Sequence, residues 1–198
     1  MARMDPKAIH QEAKRRYWDD KDLCAARRLL EQGITLAHQQ GLKGEEKAMN
    51  YDLAAFCWSG WDEPGIVIAE EDIRAGAKAA EENLKLAVEL HRPNGPLGNA
   101  WWLVGAYRLQ ALDYHGAREA FIRFQELAGE QPAAALLARG YVQLTEVFIG
   151  QDASTFFATV AELEVLEDEE AKSLAGQLIG VFQGFCRRAS ATEMRKSP

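Results

Sequence analysis

The chain has 198 residues, 47% of them hydrophobic and 27% charged, the balance of one folded domain or a short repeat array and not of a disordered chain. Its formal net charge is −7 and its pI about 5.2, which argues against a general nucleic-acid binder that works through a basic surface. Alanine and leucine number 53 against 21 for valine, isoleucine and threonine, a composition that suits helices, excludes a β-sandwich or barrel and argues against a large α/β sheet.

Proline and glycine divide the chain into helical segments, because a proline inside a helix costs about 3 kcal/mol. The first helix is expected over 5–19, with Asp5 as N-cap and Pro6 at the first helical position. A second spans 21–40 and stops at Gly41, and a third runs over 44–61. The turn Asp62-Glu63-Pro64-Gly65 then leads into Ile66-Val67-Ile68, a β-like run too short for a sheet. The fourth helix is expected over about 71–90, closed by the turn Pro93-Asn94-Gly95-Pro96. Further helices follow over 98–112, 114–129, 133–149, 152–166 and 169–188, and residues 189–198 read as a frayed tail. Short links between helices of this length make antiparallel neighbours.

No stretch reaches the about 18 apolar residues of a membrane span, and the charged N-terminal segment has no apolar signal core, so a cytoplasmic location is expected. Cys24, Cys57 and Cys186 are too far apart for a metal or redox pair and read as small buried hydrophobes. His10, His38, His91 and His115 form no pair with metal-ligand spacing. His91 and His115 read as helix-end residues near free carbonyls. Motifs for a zinc hydrolase, a nucleophile elbow, a dinucleotide fold or a phosphate loop are absent from the sequence. Glu70, Glu71 and Asp72, and again 167–170, read as acidic helix starts matched to the helix dipole. The basic triplet Lys14-Arg15-Arg16 and the pair Arg187-Arg188 read as solvated helix surface. The expectation is therefore a non-enzymatic protein with no cofactor, no metal site, no nucleic-acid partner and no membrane span.

The helices carry a weak period. In segment 98–131, Trp101, Gly105, Ala117 and Phe121 stand at relative positions 4, 8, 20 and 24 of a 34-residue repeat. Small residues at 8 and 20 let two helices approach, and aromatic residues at 4 and 24 fill the space around them. Segment 48–60 echoes this with Tyr51, Ala55 and Trp58, segment 7–40 with Tyr17, Ala26 and Leu30, and segment 133–166 with Gly140. Over about 5–166 the chain resembles the tetratricopeptide-repeat superfamily. That resemblance implies an all-α fold of antiparallel hairpins stacked into a short right-handed superhelix. A single domain would span 1–188, with hairpins at about 5–40, 44–91, 98–131 and 133–166 and a capping helix over 169–188.

The resemblance also implies where a partner binds, since in such arrays the first helix of each hairpin lines the concave face. Carried over position by position, it points to Arg15 and Trp18 on the first hairpin, Asp52 and Phe56 on the second, Asn99 and Trp102 on the third, and Tyr141 on the fourth. Trp101 is expected in the core. The function implied is an adaptor or chaperone-like module that holds a partner peptide or helix in its groove. The alternative is a homo-oligomeric scaffold whose groove or array end is covered by a second copy, with an enzyme or small-molecule sensor the most remote reading. The aromatic-rich stretch from Trp58 through the insertion at 62–70 reads either as a recognition loop or as a structural plug.

Overall fold

The computed structural model describes residues 5–129 and 131–194, and the side chains of these up to residue 187. Among the described residues it contains nine α-helices, one 3-10 turn and no strand. The all-helical expectation therefore holds. The helices are α1 (Pro6–Trp18), α2 (Leu23–Gln39), α3 (Lys43–Phe56), α4 (Glu70–Glu89), α5 (Asn94–Gln110), α6 (Tyr114–Leu127), α7 (Pro132–Ile149), α8 (Ser154–Glu164) and α9 (Glu169–Met194). None of the described helices is long and apolar enough to cross a membrane.

Local chemistry explains most of the boundaries. The Asp5 carboxylate accepts the Lys7 N–H at 3.1 Å, and Pro6 opens α1. Helix α2 starts later than expected because Lys21 takes a left-handed φ of 53° and Asp22 becomes the cap, accepting the Ala25 N–H at 2.9 Å. Helix α3 ends at Phe56, not at 61, and the chain tightens into the 3-10 turn Ser59–Trp61 before Asp62 and Gly65 reverse it with positive φ. The run at 66–68 forms no strand, and Val67 is solvent-exposed.

Two expected boundaries fail for instructive reasons. The stretch Pro93-Asn94-Gly95-Pro96 does not separate two helices by a loop reaching to residue 98; α5 begins at Asn94 and contains Pro96. A proline in the first turn lacks only an N–H that has no helical acceptor there, and the Leu97 N–H already donates to the Pro93 carbonyl at 3.1 Å. At the other end, α9 continues through Met194 into the expected tail. The rest of that tail, 195–198, lies outside the described residues.

The chain divides into two compact units. The first comprises the described residues of Met1–Ser59 and Glu63–Val104; the second comprises Gly60–Asp62 and the described residues from Gly105 onward. In the first unit α1 packs on α2, α2 on α3 and α3 on α4, with a further contact between α1 and α3. Its core is alanine-rich at the helix crossings, with Trp58 fully buried and set edge-on to Trp102 at 5.1 Å between ring centres. In the second unit α6 packs on α7, α7 on α8 and α8 on α9, and α7 also meets α9. Gly140 makes that last approach possible, since a Cβ there would stand 2.5 Å from Leu178 Cδ1. The centre of this unit is Phe121 stacked on Tyr141 at 4.8 Å, with Gly105 beneath the Phe121 ring.

The adjacent tryptophans reverse the expected assignment. Trp102 is buried and Trp101 is half-buried. A one-residue step turns a helical side chain by about 100°, so a small error in register exchanges groove and core.

Candidate functional site

The α1–α3 face of the first unit gathers the densest set of aromatic and charged groups predicted from the sequence. On α1, His10, Ala13 and Tyr17 follow one helical stripe and are buried. On α3, Asp52 and Phe56 lie one turn apart on the facing stripe. The two stripes meet. His10 Nε2 lies 2.6 Å from Asp52 Oδ2, a hydrogen-bonded pair in a half-buried setting. One turn further along, the Tyr17 and Phe56 rings stack with centres 3.9 Å apart and planes 4° from parallel.

Trp18 completes the cluster and turns it outward. Its ring stands edge-on to Tyr17 at 4.8 Å and to Phe56 at 5.9 Å. It remains 53% exposed, while Tyr17 and Phe56 are 2% and 4% exposed. Lys21 Nζ sits 5.6 Å from the Trp18 ring centre and also donates to Glu63 Oε1 at 2.7 Å. Burial, with the charges of Glu63 and Cys57, pushes the Tyr17 hydroxyl up to about 12, so it stays a neutral phenol.

Arg15 borders the cluster but is already engaged. It donates to both oxygens of Glu12 at 2.8 and 3.0 Å and to Asp20 at 3.1 Å, and Arg16 shares the same two carboxylates. The hydrogen bond from Arg15 holds the Glu12 carboxyl down at about 2. The sign follows directly: this network supports the fold above the ordinary carboxylate range and loses that support as the pH falls toward about 2. Because the groups are solvent-exposed, the contribution is small.

The remaining candidates lie elsewhere. Asn99 is exposed on α5. Trp102 belongs to the core beside Trp58, and Tyr141 is fully buried in the second unit, where its hydroxyl accepts from Gln177 Nε2 at 2.6 Å. Phe56 is a buried platform. Only Trp18, Arg15 and Asn99 of the seven present largely open side chains. His10 and Tyr17 were not among the candidates, although their i, i+7 spacing on an amphipathic helix marks one face.

A second feature of this unit is a cleft of about 550 Å³ between α2, α3 and α4, whose lining includes Glu31, His38, Glu46, Asn50, Lys78 and Lys85. His38 Nδ1 lies 3.1 Å from Glu46 Oε1, so the two pair across its wall. His91 is exposed, its Nδ1 2.9 Å from the Glu89 carbonyl at the end of α4, as expected of a helix-end residue. His115 sits instead in the first turn of α6, where N–H groups and not carbonyls are unpaired. The acidic start of α4 behaves as expected. Asp72 accepts the Ala69 N–H at 2.9 Å, and Asp72 and Glu71 both pair with Arg27. Among the described residues no three His, Cys, Asp or Glu side chains converge as a metal site.

The three cysteines part company with the expectation that all are buried. Cys57 is buried, Cys186 is half-buried and Cys24 is exposed. Burial, reinforced by Asp72, pushes the Cys57 thiol up to about 12. A thiol reagent at about pH 8 is therefore expected to modify Cys24 rapidly and to leave Cys57 untouched until the protein unfolds. Peptide mass spectrometry reads the outcome, and equal rates at the two positions in the folded chain would contradict this arrangement.

No family model matches the chain, and no curated protein is significantly similar to it.

Proposed function

We propose that this protein is a non-enzymatic, cytoplasmic adaptor built from stacked helical hairpins, and that it binds a segment of a partner protein around Trp18 on the α1–α3 face. The observation that carries the reading is the contrast within one aromatic cluster: an outward-facing Trp18 rests on two buried rings. A tryptophan held in place before binding offers a large contact area and loses little further freedom when covered. The flanking Arg15–Glu12–Asp20 and Lys21–Glu63 pairs supply a polar rim of both signs, suited to an amphipathic helix or an extended peptide with one apolar anchor.

Three features support the tetratricopeptide-like frame. Within each unit neighbouring helices pack in chain order from α1 to α4 and from α6 to α9, contacts from α1 to α3 and from α7 to α9 join alternate helices, and Gly105 is paired with Phe121 as positions 8 and 24 require. Cys24 and Cys57 as free thiols fit a reducing compartment.

Trp18→Ala is expected to leave the helical signal intact and to weaken the partner by about tenfold to a hundredfold, as removal of an anchor residue does. A pull-down with the parent and the variant, followed by a titration of the purified partner segment, measures this. Binding that is indifferent to Trp18→Ala would remove the reading.

The homo-oligomeric scaffold has its own observation in the second unit. On α8 Phe157 is solvent-exposed and continues an aromatic cluster with Phe156 and Phe182, and Val165 follows it in the open. Sedimentation that finds a monomer at high micromolar concentration would leave the adaptor reading in sole possession.

A further inference from the structure

We propose that the cleft between α2, α3 and α4 binds a small zwitterion, a free amino acid or a dipeptide, with its ammonium held by Glu31 and its carboxylate by Lys78. The cavity measures about 550 Å³, within the range of small-molecule sites. It lies wholly in the first unit, where α2 and α4 each pack on α3 and form the two walls of a trough. On α3, Glu46, Asn50 and Leu53 recur at i, i+4 and i+7 and face the cavity. Asn50 and Leu53 are 5% and 4% exposed and make its floor. Ile34 of α2 and Ala79 of α4 add apolar surface on the walls.

The charged groups of the lining sort into two pairs and a remainder. His38 pairs with Glu46 at 3.1 Å, and Lys85 with Glu82 at 3.1 Å. That leaves Glu31 on α2 and Lys78 on α4. Glu31 is only loosely engaged: Arg27 reaches it at 3.7 Å, while the same guanidinium holds Glu71 at 2.8 Å and Asp72 at 2.9 Å. Lys78 is exposed and makes no ion pair among the described residues. The two stand close together along the trough. Arg27 meets Asp72 near one end, and at the other His38 meets Glu46, next to the Lys47 carbonyl that accepts from Asn83 of α4 at 2.9 Å. Helices α2 and α4 therefore run in parallel, and this register puts Glu31 and Lys78 within about one turn of each other. One open carboxylate and one open ammonium thus border one apolar trough. A ligand carrying both opposite charges on an apolar body satisfies the pair, whereas a simple anion or cation leaves one of them unmet.

The floor supplies neutral contacts. The Asn50 carboxamide nitrogen donates to the Glu46 carbonyl at 2.9 Å. That bond fixes the amide and leaves its oxygen without a donor among the described residues, a nearly sealed acceptor on the cavity wall. Thr35 is set in the same way, since its hydroxyl donates to the Glu31 carbonyl at 2.9 Å and its oxygen remains an acceptor. Both suit the N–H groups of an ammonium or of a peptide bond.

The test is a titration of the full chain with L-leucine and, separately, with L-leucyl-L-alanine, followed by ¹H–¹⁵N spectra and thermal unfolding. Saturable shifts of the Thr35, Asn50 and Lys78 amides and a raised unfolding midpoint are expected with at least one of them. Saturation by L-leucine assigns the site to free amino acids, and saturation by the dipeptide alone assigns it to dipeptides. The N-acetyl form of the same probe lacks the ammonium and its C-terminal amide lacks the carboxylate; each should bind about tenfold more weakly or worse. Glu31→Gln and Lys78→Gln replace exposed side chains, so both variants are expected to keep the parent's helical signal and unfolding midpoint without ligand. Glu31→Gln should erase the difference between the probe and its N-acetyl form, and Lys78→Gln the difference between the probe and its amide. Absence of a saturable shift with both probes, shifts confined to residues outside the cleft, or equal binding of the zwitterion and its two blocked forms would overturn the proposal. Differences that persist unchanged in both variants would overturn it as well.

Discussion

Phe121→Ala is expected to destabilise the second unit by about 3–5 kcal/mol, the cost of removing a large aromatic side chain from a closed core. Phe121 is fully buried, stacks on Tyr141 at 4.8 Å, and lies with its ring against Gly105. The glycine is half of the same device. A Cβ at residue 105 would stand 2.6 Å from Phe121 Cε1 and 2.7 Å from Cδ1, closer than real contacts allow, and the ring cannot retreat because Tyr141 backs it. Gly105→Ala should therefore cost about 1–3 kcal/mol despite the better helix propensity of alanine. In a Phe121→Leu background the added methyl has somewhere to go, so the two substitutions together should cost less than their sum. Urea unfolding followed by circular dichroism measures all four proteins. Strict additivity would show that Gly105 and Phe121 do not share one space.

The counterpart in the first unit is Trp58→Ala, again expected at about 3–5 kcal/mol. Trp58 has no exposed surface and meets Trp102 edge-on at 5.1 Å. Trp58→Phe keeps an aromatic ring in the space and should cost distinctly less. Trp18→Ala provides the contrast, at about 1 kcal/mol or below, because half of that ring already faces water. Thermal unfolding of the three variants reads the ranking. Equal losses for Trp18 and Trp58 would mean that Trp18 is a structural residue, and the adaptor proposal would lose its anchor.

The helical elements were largely legible because their signals are local. Asp5 with Pro6 opens α1, Gly41 closes α2 with a φ of +68°, and Gly150 closes α7 with a φ of +108°. Each acts through the dihedral preference or hydrogen-bonding reach of one or two neighbouring residues. The boundaries that moved depend on a choice between two locally acceptable states. Pro96 can follow a turn or sit in the first turn of a helix, and in α5 it does the latter. Asp20 and Asp22 can each cap a helix, and the left-handed Lys21 gives the role to Asp22.

The candidate site was legible only in part. Trp18, Asp52 and Phe56 do belong to one face, because α1 and α3 are neighbours and the helical period places these positions toward each other. Which of them faces water was beyond the pattern. Trp18 is open and Phe56 is closed, although both read as aromatic residues at groove positions, since exposure depends on what packs over each stripe.

Composition and punctuation thus determined by themselves that this is an all-helical chain of short-linked helices with paired small and aromatic packing positions, as Gly105 and Phe121 show. Those properties rest on backbone preference and on side-chain volume, which are carried by each residue wherever it sits. Tertiary structure alone decided that Trp102 lies inside and Trp101 half outside, and that Cys24 is exposed while Cys57 is sealed. These outcomes depend on the rotation of each helix about its axis, and that rotation is set by contacts between residues far apart in the chain.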